Sequence, residues 1–183
     1  MKLYSEKEII SLINEDSTRR EGFEGLVNKF SEPLYWHIRR IVVSHEDSDD
    51  VLQNTFIKVW LNIDTFRGDS KLSTWLYRIA VNEALLFIRQ NKEKYNIAID
   101  DPDLGIENSL KSDPYFCGDE LDMHLQKAIL SLPDRQRVVF TMRYYDELMY
   151  REIAEILDIT EGALKASYHH AVKKIEEYIK NID

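Results

Sequence analysis

Apolar residues recur every three to four positions along almost the whole chain, and the strict alternation expected of a strand is nearly absent. The pattern predicts a short helix over residues 5–14. A long one follows over 17–43, bent near Pro33 because proline removes an internal hydrogen bond. A third is expected over 48–62 and, after the turn-rich stretch 64–70, a fourth over 71–90. Residues 95–118 lose the periodicity and mix Pro102, Gly105, Pro114 and Gly118 with acids. Such a segment buries too little apolar surface to offset its ordering entropy and reads as a flexible linker. Helical spacing returns at Asp119, giving helices over 119–131, then up to 147 with Pro133 at the start, then 150–157 and 161–180. The predicted fold class is all-α: two small helical domains, 1–95 and 119–183, joined by a flexible acidic linker over 96–118.

In the second domain, a helix over 150–157, a three-residue turn and a longer helix have the layout of a helix-turn-helix. Ala154 is small where the two helices cross. Ile153, Ile156, Leu157 and Ile159 supply buried contacts, and Thr160 is a good N-cap. At about 100° per residue, Leu164, Tyr168, Ala171, Val172, Ile175 and Ile179 of the last helix fall on one side. Gly162, Lys165, Ala166, His169, His170 and Lys173 fall on the other. Small residues there permit close approach to a groove, and the cations and imidazoles can contact phosphates or base edges. The same spacing also suits a solvated face of a plain bundle. His169 and His170 are adjacent, so they point about 100° apart and do not form the i, i+4 pair of a helical metal site.

In the first domain, Val51, Leu52, Thr55, Phe56 and Val59 form an inward arc of the third helix. The opposite arc, Asp49, Asp50, Gln53, Asn54, Ile57 and Trp60, sets apolar groups beside carboxylates, the composition of a protein contact. Trp60 admits a second placement, turned back into the core. In the fourth helix Leu72, Leu76, Ile79, Ala80, Leu86 and Phe87 are expected inside, while Arg78, Asn82 and Arg89 line another face. Phe66, Arg67 and Lys71 surround Gly68 in the preceding loop. An aromatic with cations near an asparagine suits an unstacked base of single-stranded nucleic acid.

Charge complicates this picture, since the 183 residues carry a net charge of −9. Its distribution matters more than its sum. Residues 1–96 hold 14 basic and 15 acidic side chains, 97–119 hold one and six, and 120–183 hold nine and 12. More than half of the excess lies in residues 97–119, so the outer segments can still hold local basic faces. The single cysteine, Cys117, pairs with no second thiol. No apolar run is long enough to span a membrane and the start is not an export signal, so a cytoplasmic protein is expected. Nothing resembles a glycine-rich phosphate loop, a metal cluster or a nucleophile with its base. An enzyme, a cofactor and a small-molecule substrate are therefore not expected.

The stretch Asp47-Ser48-Asp49-Asp50-Val51-Leu52-Gln53-Asn54-Thr55-Phe56-Ile57-Lys58-Val59-Trp60 resembles the region 2 signature of extracytoplasmic-function sigma factors of the sigma-70 family. Phe66-Arg67-Gly68-Asp69-Ser70 with Thr74-Trp75-Leu76-Tyr77-Arg78-Ile79-Ala80-Val81-Asn82 is similar to the family's promoter-melting segment. Leu132-Pro133-Asp134-Arg135-Gln136-Arg137-Val138-Val139-Phe140 and the helix-turn-helix resemble its region 4. The resemblance implies a factor that binds core RNA polymerase and recognises the −10 and −35 promoter elements. It implies a β′-clamp face made of Asp49, Asp50, Gln53, Asn54, Ile57 and Trp60. It implies −10 contacts from Phe66, Arg67, Gly68, Asp69, Ser70, Lys71, Arg78 and Asn82. For the −35 duplex the counterparts are Lys165, Ala166, His169, His170 and Lys173, with Tyr150 and Arg151 near the backbone and the β flap as second polymerase contact. An anti-sigma factor is a further implied partner. Two departures stand out: Ser167 and His170 replace the family's usual arginines, and Asp158 replaces its turn glycine. Two rivals remain: a stand-alone helix-turn-helix regulator, which leaves the face of Asp49, Gln53 and Trp60 unexplained, and a purely protein-binding adaptor, which would show no promoter-dependent effect.

Overall fold

The computed structural model describes residues 4–42, 44–91 and 120–181. The linker expected over 96–118 and Cys117 lie outside these. Among the described residues there are eight α-helices, one 3-10 turn and no strand.

Helix α1, Glu6–Asn14, opens on a capping box: the Ser5 hydroxyl accepts from the Glu8 N–H while the Glu8 carboxylate accepts from the Ser5 N–H at 2.7 Å. It crosses α2, Arg19–Val42, at Gly22, where an added Cβ would stand 2.8 Å from the Ile13 backbone nitrogen. Only glycine fits that crossing. Pro33 lies inside α2, which continues through it. Helix α3, His45–Asn62, begins three residues before the predicted Ser48 because Ser44, not Ser48, is the N-cap. A 3-10 turn, Ile63–Thr65, leads to a loop in which Gly68 holds φ 78°, the left-handed region that glycine enters without penalty. Helix α4, Leu72–Gln90, follows.

The second half contains α5, Glu120–Leu130, α6, Asp134–Tyr144, α7, Tyr150–Leu157, and α8, Glu161–Lys180. Pro133 is the N-cap of α6 rather than its first helical residue, and α6 stops short of residue 147, where Glu147 turns to φ 54°. The turn from α7 to α8 passes through Asp158 at φ 54°, ψ 50°, so the residue in the glycine position takes the glycine conformation. Thr160 caps α8, its hydroxyl accepting from the Ala163 N–H at 3.2 Å.

Leu26, Leu34, Ile38, Ile41, Val51, Val59, Leu72, Leu76 and Ala80 form the core of α1–α4. The same buried cluster continues into the second half through Val138, Val139, Met142, Ile153, Ile156 and Leu164. A smaller cluster under α5, α6 and α8 gathers Ala128, Ile129, Leu132, Phe140, Ala171 and Ile175. Helix α7 packs on α4 and α6 packs on α2, so the two halves share an interface. Leu86, expected inside, is 39% exposed; Val81, Ala84 and Ile88 fill the inner side of α4 instead.

Candidate nucleic-acid interface

The inner stripe of α8 is anchored by the buried side chains of Leu164, Ala171 and Ile175. Lys165, Ala166, His169, His170 and Lys173 are all exposed on the outer side. Lys165 lies 3.5 Å from Glu161 and 5.5 Å from the centre of the Tyr150 ring, and Lys173 lies 3.9 Å from Glu177. Such exposed pairs are weak and leave both ammonium groups available to phosphate. Tyr150 is half-buried edge-on to Tyr168, with Arg143 over its ring, and Arg151 is exposed beside it.

At the start of α4, Phe66 leans on Trp75 with ring centres 5.4 Å apart. Arg67, Gly68 and Asp69 are exposed and Ser70 is half-exposed. Nothing lies within 4 Å of the space a Gly68 side chain would take. The loop therefore opens to solvent beside an aromatic pair. Nearly three turns along α4, Asn82 is exposed and its side chain makes no hydrogen bond among the described residues. It stands between two cavities. One, of about 310 Å³, is lined by Lys58, Asn62, Trp75, Ile79 and Glu83. The other, of about 550 Å³, separates α4 from the helix-turn-helix and is rimmed by Arg78, Arg89 and Arg135 over an apolar floor.

Two predicted strand-reading cations are already engaged. The Lys71 ammonium donates to the Glu152 carboxylate of α7 at 2.8 Å. That bond raises the Lys71 pKa, and with the Met149 N–H it lowers that of Glu152. The Arg78 guanidinium donates to the Ile156 carbonyl at 3.2 Å and to the Glu155 carbonyl, both in the last turn of α7.

Along α3, Asp50, Gln53 and Asn54 are exposed and Asp49 is half-exposed, 3.6 Å from the His45 ring nitrogen. Ile57 is 56% and Trp60 43% exposed. Trp60 thus takes neither extreme: one edge meets Phe23, ring centres 4.9 Å apart, and the rest faces solvent. Leu61, 71% exposed, extends this apolar strip and went unpredicted, although it stands four residues after Ile57. Also unpredicted is a set of buried polar contacts between the halves. Arg137 of α6, 3% exposed, donates to the Ile41 carbonyl at 3.1 Å. Asp146 pairs with His37 at 2.5 Å and Arg40 at 3.2 Å. No local signal marks these residues, because their partners lie about a hundred positions away.

No helix among the described residues is long and apolar enough to cross a membrane. Residues 26–94 match the family model for sigma-70 region 2, and residues 123–175 match that for sigma-70 region 4. The chain is 30% identical over 171 residues to the ECF RNA polymerase sigma factor SigW of Bacillus subtilis, covering 89% of this chain and 91% of that protein. It is 33% identical over 169 residues to the ECF RNA polymerase sigma-E factor of Escherichia coli, covering 88% of each. Among solved structures, the fold is similar to CnrH in complex with the cytosolic domain of CnrY, with a TM-score of 0.71 at 18% identity over 97% of this chain and 98% of that one. It is also similar to the sigma factor RpoE from Bartonella quintana in complex with the anti-sigma factor NepR, with a TM-score of 0.67 at 23% identity over 86% and 96%.

Proposed function

The chain belongs to the extracytoplasmic-function sigma factors of the sigma-70 family, and on that footing we propose how its faces divide the work of directing RNA polymerase to promoters. Residues 1–95 bind core polymerase and read the −10 element, 119–183 read the −35 element, and 96–118 tether them. The α3 face made of Asp49, Asp50, Gln53, Asn54, Ile57 and Trp60 docks on the β′ clamp. Leu61 adds to its apolar strip. Loop residues 66–71 hold an unstacked base of the non-template −10 strand. Arg78 and Asn82 contact the same strand, Asn82 offering a free amide at a cavity mouth. The outer face of α8 enters the −35 major groove with Lys165, Ala166, His169, His170 and Lys173, while Tyr150 and Arg151 meet the backbone. The β flap seats the second half. An anti-sigma factor is the proposed restraining partner, and the cytoplasm, where polymerase and chromosome meet, the proposed compartment.

The observation that carries this reading is the exposed polar face of α8 behind a capped helix-turn-helix, in a chain whose α3 also exposes Ile57, Trp60 and Leu61. A stand-alone DNA-binding regulator accounts for the first face and leaves the second idle. Run-off transcription with purified core polymerase and promoter fragments from the source genome separates the two. Promoter-dependent transcripts appear only with this protein added. A protein that never associates with core enzyme would overturn the reading.

A further inference from the structure

Arg78, Asn82, Leu85 and Arg89 recur at three- to four-residue spacing, so α4 presents them along one line. That line forms one wall of the cavity of about 550 Å³ between α4 and the helix-turn-helix. Val138 and Val139 of α6 and Ile156 of α7 close its floor, each no more than 3% exposed. Among the described residues no aromatic ring lines the space. A floor of branched aliphatic side chains suits a flexible hydrocarbon chain, whereas an unstacked base needs a ring to lie on.

The rim differs in kind from the floor. Arg89 and Arg135 are exposed and make no ion pair among the described residues. Arg78 adds a third guanidinium, held by the Glu155 and Ile156 carbonyls at the end of α7. Against these stands one carboxylate, Asp158, in the left-handed turn before α8. In a chain of net charge −9, unpaired guanidiniums around an apolar hollow run against the average surface. A guanidinium presents paired donors that match the oxygens of a carboxylate or phosphate. A mostly apolar lining with a few polar groups, in a cavity of this size, is the make-up of a small-molecule site.

We propose that this cavity binds a single-chain anionic amphiphile, its carboxylate or phosphate head on the rim arginines and its hydrocarbon chain along the floor of Val138, Val139 and Ile156. Neither polymerase docking nor DNA reading enters the argument, so this site stands or falls apart from the function proposed above.

The test is isothermal titration calorimetry of the full-length protein with dodecanoate and with dodecyl phosphate, each below its micelle concentration. Both saturate at one molecule per chain, and the tighter of the two identifies the head group that the rim prefers. Decanoate and octanoate bind progressively more weakly, each pair of methylenes removed lowering affinity by about tenfold. Arg89→Gln combined with Arg135→Gln weakens dodecanoate binding by about tenfold, through loss of charge-assisted bonds. Asp158→Asn keeps a residue that tolerates the left-handed turn and removes the repelling charge, so it tightens binding by about threefold. A gain of affinity does not arise from a damaged fold, which keeps the test decisive if circular dichroism shows that the double variant has lost helix. Dodecyltrimethylammonium, the same chain with a cationic head, shows no saturable binding. If this cation binds as tightly as dodecanoate, if affinity ignores chain length, or if many molecules bind each chain, the amphiphile merely coats the surface and the site is overturned. Absence of dodecanoate and dodecyl phosphate binding, or unchanged affinity in the folded variants, overturns it equally.

Discussion

Asn82 shows how one side chain's position sets a testable role. Its amide is exposed, without a hydrogen bond among the described residues, and lies beside a cavity that reaches Trp75. An amide can pair with the edge of a flipped base through both its donor and its acceptor. Asn82→Ala is therefore expected to slow open-complex formation about tenfold, the cost of about one lost hydrogen bond to the strand. Permanganate reactivity of unpaired thymines reports this, and a pull-down with core enzyme is expected to show unchanged association. Equal loss in both assays would remove Asn82 from the strand. The exposure of Asn82 was readable from helical spacing, since one regular helix fixes the angle of every residue on it. The engagement of Arg78 and Lys71 was not. Their partners, Glu155, Ile156 and Glu152, stand more than seventy positions away, and only packing between the halves brings them together.

At the level of elements, local chemistry decided most boundaries. Helices α7 and α8 begin and end where the spacing predicted, because Thr160 caps one and the left-handed Asp158 ends the other. Where a nearer cap competed, the boundary moved: Ser44 starts α3 ahead of Ser48. Leu86 was misplaced because α4 is covered on two sides. Contact with both the first half and α7 widens its buried arc and rotates it toward Val81, Ala84 and Ile88. The α7–α8 turn carries its own prediction. Asp158 sits at φ 54°, where any side chain with a Cβ is strained and glycine is not. Asp158→Gly is expected to stabilise the fold by about 0.5–1 kcal/mol. Thr160→Ala is expected to cost about 1 kcal/mol by removing the acceptor for the Ala163 N–H. Urea melts of the two variants, moving in opposite directions from the parent, check both. A stabilising Thr160→Ala would show that the turn is held by something other than its cap.

For the whole molecule, charge decides how DNA is met. A net charge of −9 repels duplex DNA at long range, and the cations of α8 are few. Phosphate neutralisation supplies most non-specific affinity, so the isolated chain lacks the term that usually starts DNA binding. Among the other exposed cations, Lys71 pairs with Glu152 and Arg78 is held on the end of α7. Two weak readers become one strong reader only when a larger body fixes both at the promoter's spacing, which replaces a second encounter in solution by one at high effective concentration. In a gel shift at about 0.15 M salt, the isolated chain is expected to give no retarded promoter band at micromolar concentration. Addition of core polymerase, at concentrations that do not shift the fragment alone, is expected to produce a sequence-specific complex. Raising the salt weakens that complex without making the isolated chain bind. Tight specific binding by the isolated chain would mean that its charge does not restrain it. The −35 face of α8 would then be sufficient by itself, and polymerase would be a passenger on DNA already found.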